Sequence, residues 1–205
     1  MQTTIKAIVF DFGGVLVDWN PRNLYQRYFP NQPQAMEEFL TEINFAAWNA
    51  QQDKGRTFAE GVAELSAQFP QHAHLIQAYH DHWKDSITGE IPGVADILRR
   101  LKQAGHPLYG LSNWSLETFP LIQHKYPFFD WFDDIVLSGE VKLVKPDQAI
   151  FNLLLDKIDY SAPECVLIDD SQANIDTANS LGFNTIHFKS AAKLETELQQ
   201  YGLLD

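Results

Sequence analysis

Five short apolar runs punctuate the chain, each ending in polar or turn residues: Ala7–Asp11 (AIVFD), Leu108–Asn113 (LYGLSN), Asp134–Gly139 (DIVLSG), Cys165–Asp170 (CVLIDD) and Thr185–Phe188 (TIHF). Near-continuous Val/Ile/Leu runs of this length suit strands buried on both faces, as in a parallel sheet. Between them the apolar spacing becomes helical. VADILRRLKQAGH sets Val94, Ile97, Leu98 and Leu101 on one face and stops at Gly105. KPDQAIFNLLLDKI starts near Pro146 and aligns Ile150, Leu153, Leu154 and Ile158. SQANIDTANSLGF runs from an N-cap at Ser171 through Ile175, Ala178 and Leu181 to Gly182. Strand–helix alternation from Pro92 onward predicts right-handed βαβ units in a doubly wound α/β parallel sheet.

The first strand breaks this rhythm. About a hundred residues separate it from the second, far more than one crossover needs. PRNLYQRYF, with Asn20 as N-cap and Pro21 behind it, reads as a helix. So do MEEFLTEINFAAWNAQ, FAEGVAELSAQF and LIQAYHDHWKDSI. The expectation is a core of residues 1–17 and 89–205 with a helical cap, residues 18–88, over the carboxyl edge of the sheet.

Composition narrows the class. No apolar run approaches the ~20 residues that span a bilayer, and the amino-terminal stretch lacks the longer apolar region and cleavage site of a signal peptide. A cytoplasmic location is expected. The single cysteine, Cys165, cannot pair within the chain, and it reads as a small apolar residue of a buried strand rather than a nucleophile. A net charge of −12 without a Lys/Arg cluster argues against nucleic acid and anionic membrane as partners. It leaves room for a small phosphorylated metabolite, which one lysine, a metal and a few backbone N–H groups can hold.

In open α/β sheets ligands bind outside the carboxyl ends of the strands. There the chain places Asp11, Ser112-Asn113 and Asp169-Asp170, with Lys145 just before a core helix. Alone, an Asp at a strand end is a cap or turn residue, Ser-Asn is turn chemistry, and Lys-Pro merely precedes a helix. Their order and shared edge favour a site.

With these residues the sequence resembles the haloacid dehalogenase superfamily. FDFGGVL matches its first motif through Asp11, LSNWS its second through Ser112 and Asn113, VKLVKPDQAIF its third through Lys145, and LIDDSQANIDTA its fourth through Asp169, Asp170 and Asn174. The resemblance implies a Rossmann-like core with a first-type helical cap, and points to the sugar-phosphate phosphatase branch. It implies that Asp11 attacks phosphorus and forms an aspartyl-phosphate that water hydrolyses. It also implies Mg2+ to bridge the two anions, held by Asp170, Asp11 and the Gly13 carbonyl, with Asp169 acting through a metal-bound water. Lys145 and Ser112 would hold phosphate oxygens, while Asn113 and Gly14 would add N–H donors. Two alternatives stay open. One is a metal-free 2-haloacid dehalogenase with the same nucleophile, against which the Asp169-Asp170 pair counts. The other is a non-catalytic regulatory or binding member.

Gly13 departs from the pattern. Most phosphatases of the superfamily carry a second Asp there, which protonates the leaving oxygen and deprotonates water. Its absence predicts a preference for leaving groups that need little protonation, such as an aldose 1-phosphate, and a steep fall of kcat/KM with leaving-group pKa. The alternatives are that Gly13-Gly14 only permits a tight turn, and that the cap or a water on Asp169 supplies the acid. Elsewhere, His72, His74, His80 and His82 are too poorly aligned for a metal site. Trp48 and Asp53, with Lys54 and Arg56 nearby, either face the substrate or belong to the cap core.

Overall fold

The computed structural model describes residues 4–205. In chain order the elements are β1 (Ala7–Phe10), β2 (Val17–Trp19), α1 (Pro21–Tyr25), α2 (Pro33–Glu42), α3 (Phe45–Asp53), α4 (Phe58–Gln68), α5 (Ala73–Asp81), β3 (Ile87–Glu90), α6 (Val94–Gln103), β4 (Leu108–Ser112), α7 (Pro120–Gln123), β5 (Asp134–Leu137), α8 (Ser138–Val141), α9 (Gln148–Lys157), β6 (Cys165–Asp169), α10 (Gln172–Ser180), β7 (Asn184–His187) and α11 (Ala191–Gln200).

Five strands form a parallel sheet in the order β5-β4-β1-β6-β7. Strand β1 is central, with Phe10 opposite Gly110 on one side and Ile168 on the other. Crossovers leave β1 in both directions, so the ends of β1, β4 and β6 meet at the switch point of the sheet. Side chains alternate across it as a period of two requires. Ile8, Phe10, Val166 and Ile168 join the core that holds Leu98 of α6 and Leu198 of α11. Ala7, Val9, Cys165 and Leu167 join the core of Ile150, Leu154 and Ala178 from α9 and α10. Each Val, Leu, Ile or Phe among these contributes about 1.5–3 kcal/mol by leaving water. Burial pushes the Cys165 thiol up to about 12, as befits an inert strand residue.

The expected strands and core helices are present, shifted at their ends by one or two residues. DIVLSG stops as a strand at Leu137 because Ser138 begins α8. One element has no counterpart in the hydrophobic pattern. Strands β2 and β3 pair antiparallel, with Val17 opposite Glu90 and Trp19 opposite Ile87. Thr88 Oγ1 also donates to the Asp18 carboxylate. The chain thus leaves the core after β1 and returns before α6 through one two-stranded ribbon, and helices α1–α5 lie between its strands. These inserted helices pack around aromatic rings. Tyr79 sits within 6.2 Å, centroid to centroid, of Tyr25, Phe45, Trp48 and Phe58. Among the described residues no helix is long and apolar enough to cross a membrane.

Candidate active site

Asp11 directly follows β1 and is 8% exposed. Its N–H donates to Ile168 O at 2.9 Å, extending the ladder by one residue and fixing where the side chain emerges. Three donors converge on its Oδ1: the Phe12 N–H at 2.7 Å, Ser112 Oγ at 2.7 Å and Lys145 Nζ at 3.1 Å. Oδ2 has no such partner among the described residues and is left for the pocket.

Lys145 is buried between two carboxylates, with Nζ 2.6 Å from Asp169 Oδ2. Asn113 clamps the lysine's backbone: its Oδ1 accepts the Lys145 N–H at 2.8 Å and its Nδ2 donates to the Lys145 carbonyl at 2.9 Å. Asp169 is fully buried, and its Oδ1 accepts the Ser171 N–H and Asn174 Nδ2, each at 2.9 Å. Asp170 points outward, with no side-chain hydrogen bond among the described residues.

One cation thus faces three carboxylates, and oxygens of Asp11, Asp169 and Asp170 lie within 4.8 Å of one another. Burial raises Asp11 to about 6 against the pull of Lys145. Burial and the neighbouring Asp169 raise Asp170. Burial alone would lower Lys145, but Asp11 and Asp169 hold it above its ordinary value. An all-oxygen cluster with excess negative charge fits a hard divalent cation. The oxygens free to meet one are Asp11 Oδ2, those of Asp170 and the Gly13 carbonyl. Asp169 already accepts hydrogen bonds on both oxygens, from Lys145, Ser171 and Asn174.

Above Asp11 opens a pocket of about 290 Å³ walled by Trp19, Trp83 and Trp114. It shares Trp19, Asn49, Asp53 and Asn113 with a wider cleft of about 810 Å³ that includes Leu40 and Phe45. Asn49 and Asp53 come from α3. Asn49 Nδ2 donates to Asp53 Oδ2 at 2.9 Å, and Tyr79 OH donates to Asn49 Oδ1 at 3.0 Å. The loop after α3 is fastened to the core. Ser138 Oγ donates to the Asp53 carbonyl at 2.5 Å, and the Phe58 N–H donates to Glu117 Oε1 at 3.0 Å. Burial, with the charge of Asp11 across the pocket, pushes Asp53 up to about 8.

A family model for haloacid dehalogenase-like hydrolases matches residues 5–182. The chain belongs to this family. The hydrolase is 27% identical over 201 residues to the sesquiterpene phosphatase astK of Aspergillus oryzae, covering 98% of both chains. It is 23% identical to the D-ribitol-5-phosphate phosphatase of Bacteroides thetaiotaomicron, over 95% of this chain and 97% of that one. Among solved structures it is similar to the HAD family enzyme bt-2542 of Bacteroides thetaiotaomicron. The TM-score is 0.73 at 25% identity, over 92% of this chain and 95% of that one. The same enzyme, solved with magnesium and inorganic phosphate, superposes with a TM-score of 0.67 at 26% identity, over 91% of this chain and 95% of that one.

In the hydrolase the strand-end residues Asp11, Ser112, Lys145, Asp169 and Asp170 come together as the motif order implies. Two expected donors are placed otherwise. The Gly14 N–H is committed to Val17 O at 2.9 Å, inside the turn that starts the ribbon. Gly14 has a φ of +78°, and a Cβ there would lie 2.4 Å from Asp170 Oδ2, so its role is to let Asp170 approach. The Gly13 N–H, by contrast, has no backbone partner among the described residues. The Asn113 side chain braces Lys145 through its oxygen and one amide N–H, which leaves its second amide N–H and its backbone N–H for a ligand.

The undecided group around α3 separates. Trp48 is core, with Nε1 donating to Gly61 O at 2.9 Å. Arg56 is held by Gln52 and Glu64 at 2.7 Å each, and Lys54 is exposed. Only Asp53 reaches the pocket. His72 binds Glu42 at 2.9 Å, and the aspartate trio is the only potential metal-ligand cluster among the described residues. Sequence reasoning missed Trp19, Trp83, Trp114 and Asn49. Their spacing carries no signal, because the pocket wall is assembled from four separate segments.

Proposed function

We propose that this hydrolase cleaves small phosphate monoesters of neutral alcohols through an aspartyl-phosphate on Asp11, with Mg2+ as cofactor. The observation that carries this reading is the division of labour at Asp11. One oxygen is pinned by three donors, and the other is open to the pocket beside Asp170. Asp11 Oδ2 attacks phosphorus, and the ester P–O bond breaks with its electron pair on the leaving oxygen. Water then attacks the phosphorus of the aspartyl-phosphate, releases inorganic phosphate and restores the carboxylate. Ser112 and the Phe12 N–H orient the nucleophile. Lys145 balances its charge and that of a transferring phosphoryl oxygen, and the Gly13 N–H replaces Gly14 as a backbone donor. Asp170, Asp11 and the Gly13 carbonyl would hold the metal, which when bound would screen the two anions from each other, with Asp169 behind Lys145 and water. The relatives named as phosphatases and the neighbour solved with magnesium and phosphate support this assignment. The inserted helices serve as a cap that excludes water and selects the leaving group.

The leaving alcohol is neutral because nothing nearby would pair with a second anion. Among the described lining residues Arg22 is the one cation, and its guanidinium is held by Glu37 at 2.5 and 2.7 Å. A sugar or polyol, stacked on the indoles, meets this requirement. The apolar wall of Leu40 and Phe45 favours a second reading, an isoprenoid alcohol, in keeping with the sesquiterpene phosphatase relative.

The test is a panel of glucose 1-phosphate, ribitol 5-phosphate, farnesyl phosphate and phosphoglycolate, with magnesium and with EDTA. 2-Chloropropionate runs beside them. Magnesium-dependent phosphate release from a neutral-alcohol ester, with phosphoglycolate poor, is expected. Halide release in EDTA with no phosphatase activity would replace this reading with the dehalogenase. Release of neither product would favour a binding role.

A further inference from the structure

The proposed reaction leaves one proton unassigned. An alkoxide is a poor leaving group unless it is protonated as it departs, and Gly13 cannot transfer a proton. Nor is glycine forced there by the backbone. A Cβ at Gly13 would meet only Trp114 Cζ3 and Trp19 Cβ, each at 3.8 Å, which is ordinary contact. The position tolerates a side chain and has none, so the proton must come from another wall of the pocket.

The described lining residues include no histidine, tyrosine, lysine or cysteine. The carboxyl groups of the pocket above Asp11 are Asp11, Asp170 and Asp53, while Glu37 of the wider cleft is paired with Arg22. The first is the nucleophile and the second belongs to the metal cluster, which leaves Asp53. Its Oδ2 is fixed by Asn49, itself fixed by Tyr79. Its Oδ1 has no partner among the described residues. Ser138 and Glu117 hold its loop against the core, and Asp53 lines the same pocket as Asp11 and Asp170.

We infer that Asp53 is the general acid and base of the reaction, taking the place of the carboxylate absent at position 13. The inference rests on the phosphatase reading. In the first step the breaking P–O bond leaves its electron pair on the alcohol oxygen, which takes the proton from Asp53. In the second, the Asp53 carboxylate accepts a proton from water as that water bonds to phosphorus and the bond from phosphorus to Asp11 breaks. The cycle ends with Asp11 ionised, Asp53 protonated, and alcohol and phosphate released.

The surroundings suit a proton donor. Among the described residues no lysine or arginine pairs with Asp53. Asp11 and Asp170 face it across the pocket, and Lys145 is engaged by Asp11 and Asp169. From its own side come Tyr79, through Asn49, and Arg56, which is spent on Gln52 and Glu64. Asp53 is also the last residue of α3, where the negative end of the helix dipole disfavours a carboxylate. Burial and Asp11 together hold its proton at neutral pH.

The test is kcat/KM of the full chain with magnesium, across aryl and alkyl phosphates of rising leaving-group pKa. Wild type should show a shallow dependence, contrary to the steep fall that Gly13 alone predicts. Asp53→Asn should make it steep, with a loss of ~10²–10⁴-fold for alkyl phosphates and a tenfold or more smaller loss for p-nitrophenyl phosphate. The alkaline limb of the alkyl-phosphate pH profile should disappear with it, and Asp53→Glu should recover part of the loss. A folded Asn variant that loses activity equally across the series would make Asp53 merely structural and overturn the inference. A steep wild-type dependence would do the same even if the Asn variant failed to fold. Wild type inactive on every phosphate would instead remove the phosphatase reading, and this inference with it.

Discussion

The two sides of the pocket are built on opposite principles. The sheet edge crowds Asp11, Lys145, Asp169 and Asp170 together and satisfies most of their atoms with hydrogen bonds to Ser112, Asn113, Ser171 and Asn174. The inserted side offers indole faces and apolar walls with one unpaired carboxyl, Asp53. Charge is dense where phosphorus must be attacked and sparse where the alcohol must leave. On the proposed reading, the difference teaches that transition-state charge is handled by the core, while leaving-group chemistry is delegated to the inserted segment. Variants on the core side should therefore affect every substrate alike, and variants on the inserted side should discriminate between them.

The largest effect is expected from Asp11→Asn. It keeps the hydrogen bonds to Oδ1 but removes the attacking charge. Turnover of all esters should fall by at least about 10³-fold with the melting transition intact. A beryllium fluoride adduct should form on the wild type alone. Residual activity that varied with the alcohol would blur the division between the two sides.

Lys145→Met should cost stability as well as activity. It strands buried Asp169 and Asp11 without their cation, which typically costs about 3–5 kcal/mol. Urea unfolding should show the loss, and acid should shrink it by neutralising the stranded carboxylates. Asp170→Ala acts on the metal. The magnesium concentration giving half-maximal activity should rise by at least about 10-fold for every substrate, because an outward ligand is lost without disturbing the lysine pair.

Trp83→Ala belongs to the other side. Its ring lies 5.8 Å from that of Trp114 in the pocket wall. Its loss should lower kcat/KM about 10-fold for esters that stack on it. It should leave the magnesium requirement unchanged, and a uniform loss over all esters would break the comparison.

The smallest effect concerns stability. Asp53 has a native-state pKa raised from 3.8 to about 8 by burial and by Asp11. A raised carboxyl contributes its stability below the unfolded pKa and loses it as pH rises through the native one. Stability should therefore decline between about pH 4 and 8. Asp53→Asn should remove that decline and be the more stable protein at pH 8, a common exchange of activity for stability. Parallel denaturation curves of the metal-free proteins at pH 5 and pH 8 measure it.

The parallel sheet, its helices α6, α9 and α10 and the residues at its carboxyl edge were legible in the sequence, for a local reason. Near-continuous apolar runs in β1 and β6 and helical spacing in α6, α9 and α10 are written within a few residues of each other. Asp11, Lys145 and Asp170 each stand at a strand end or helix start that such patterns mark. Only the folded chain could show that the Gly14 N–H is consumed by a turn, or that Asn113 clamps Lys145. Backbone hydrogen bonds depend on geometry that residue identity does not encode. Nor could spacing reveal a pocket wall made from residues 19, 49, 53, 83 and 114, since long-range packing carries no sequence period. Asp53 shows the difference most sharply. In the chain it is a polar residue at the end of one helix among several; in the fold it lines the pocket that holds Asp11 and Asp170, where burial and the charge of Asp11 push it up to about 8.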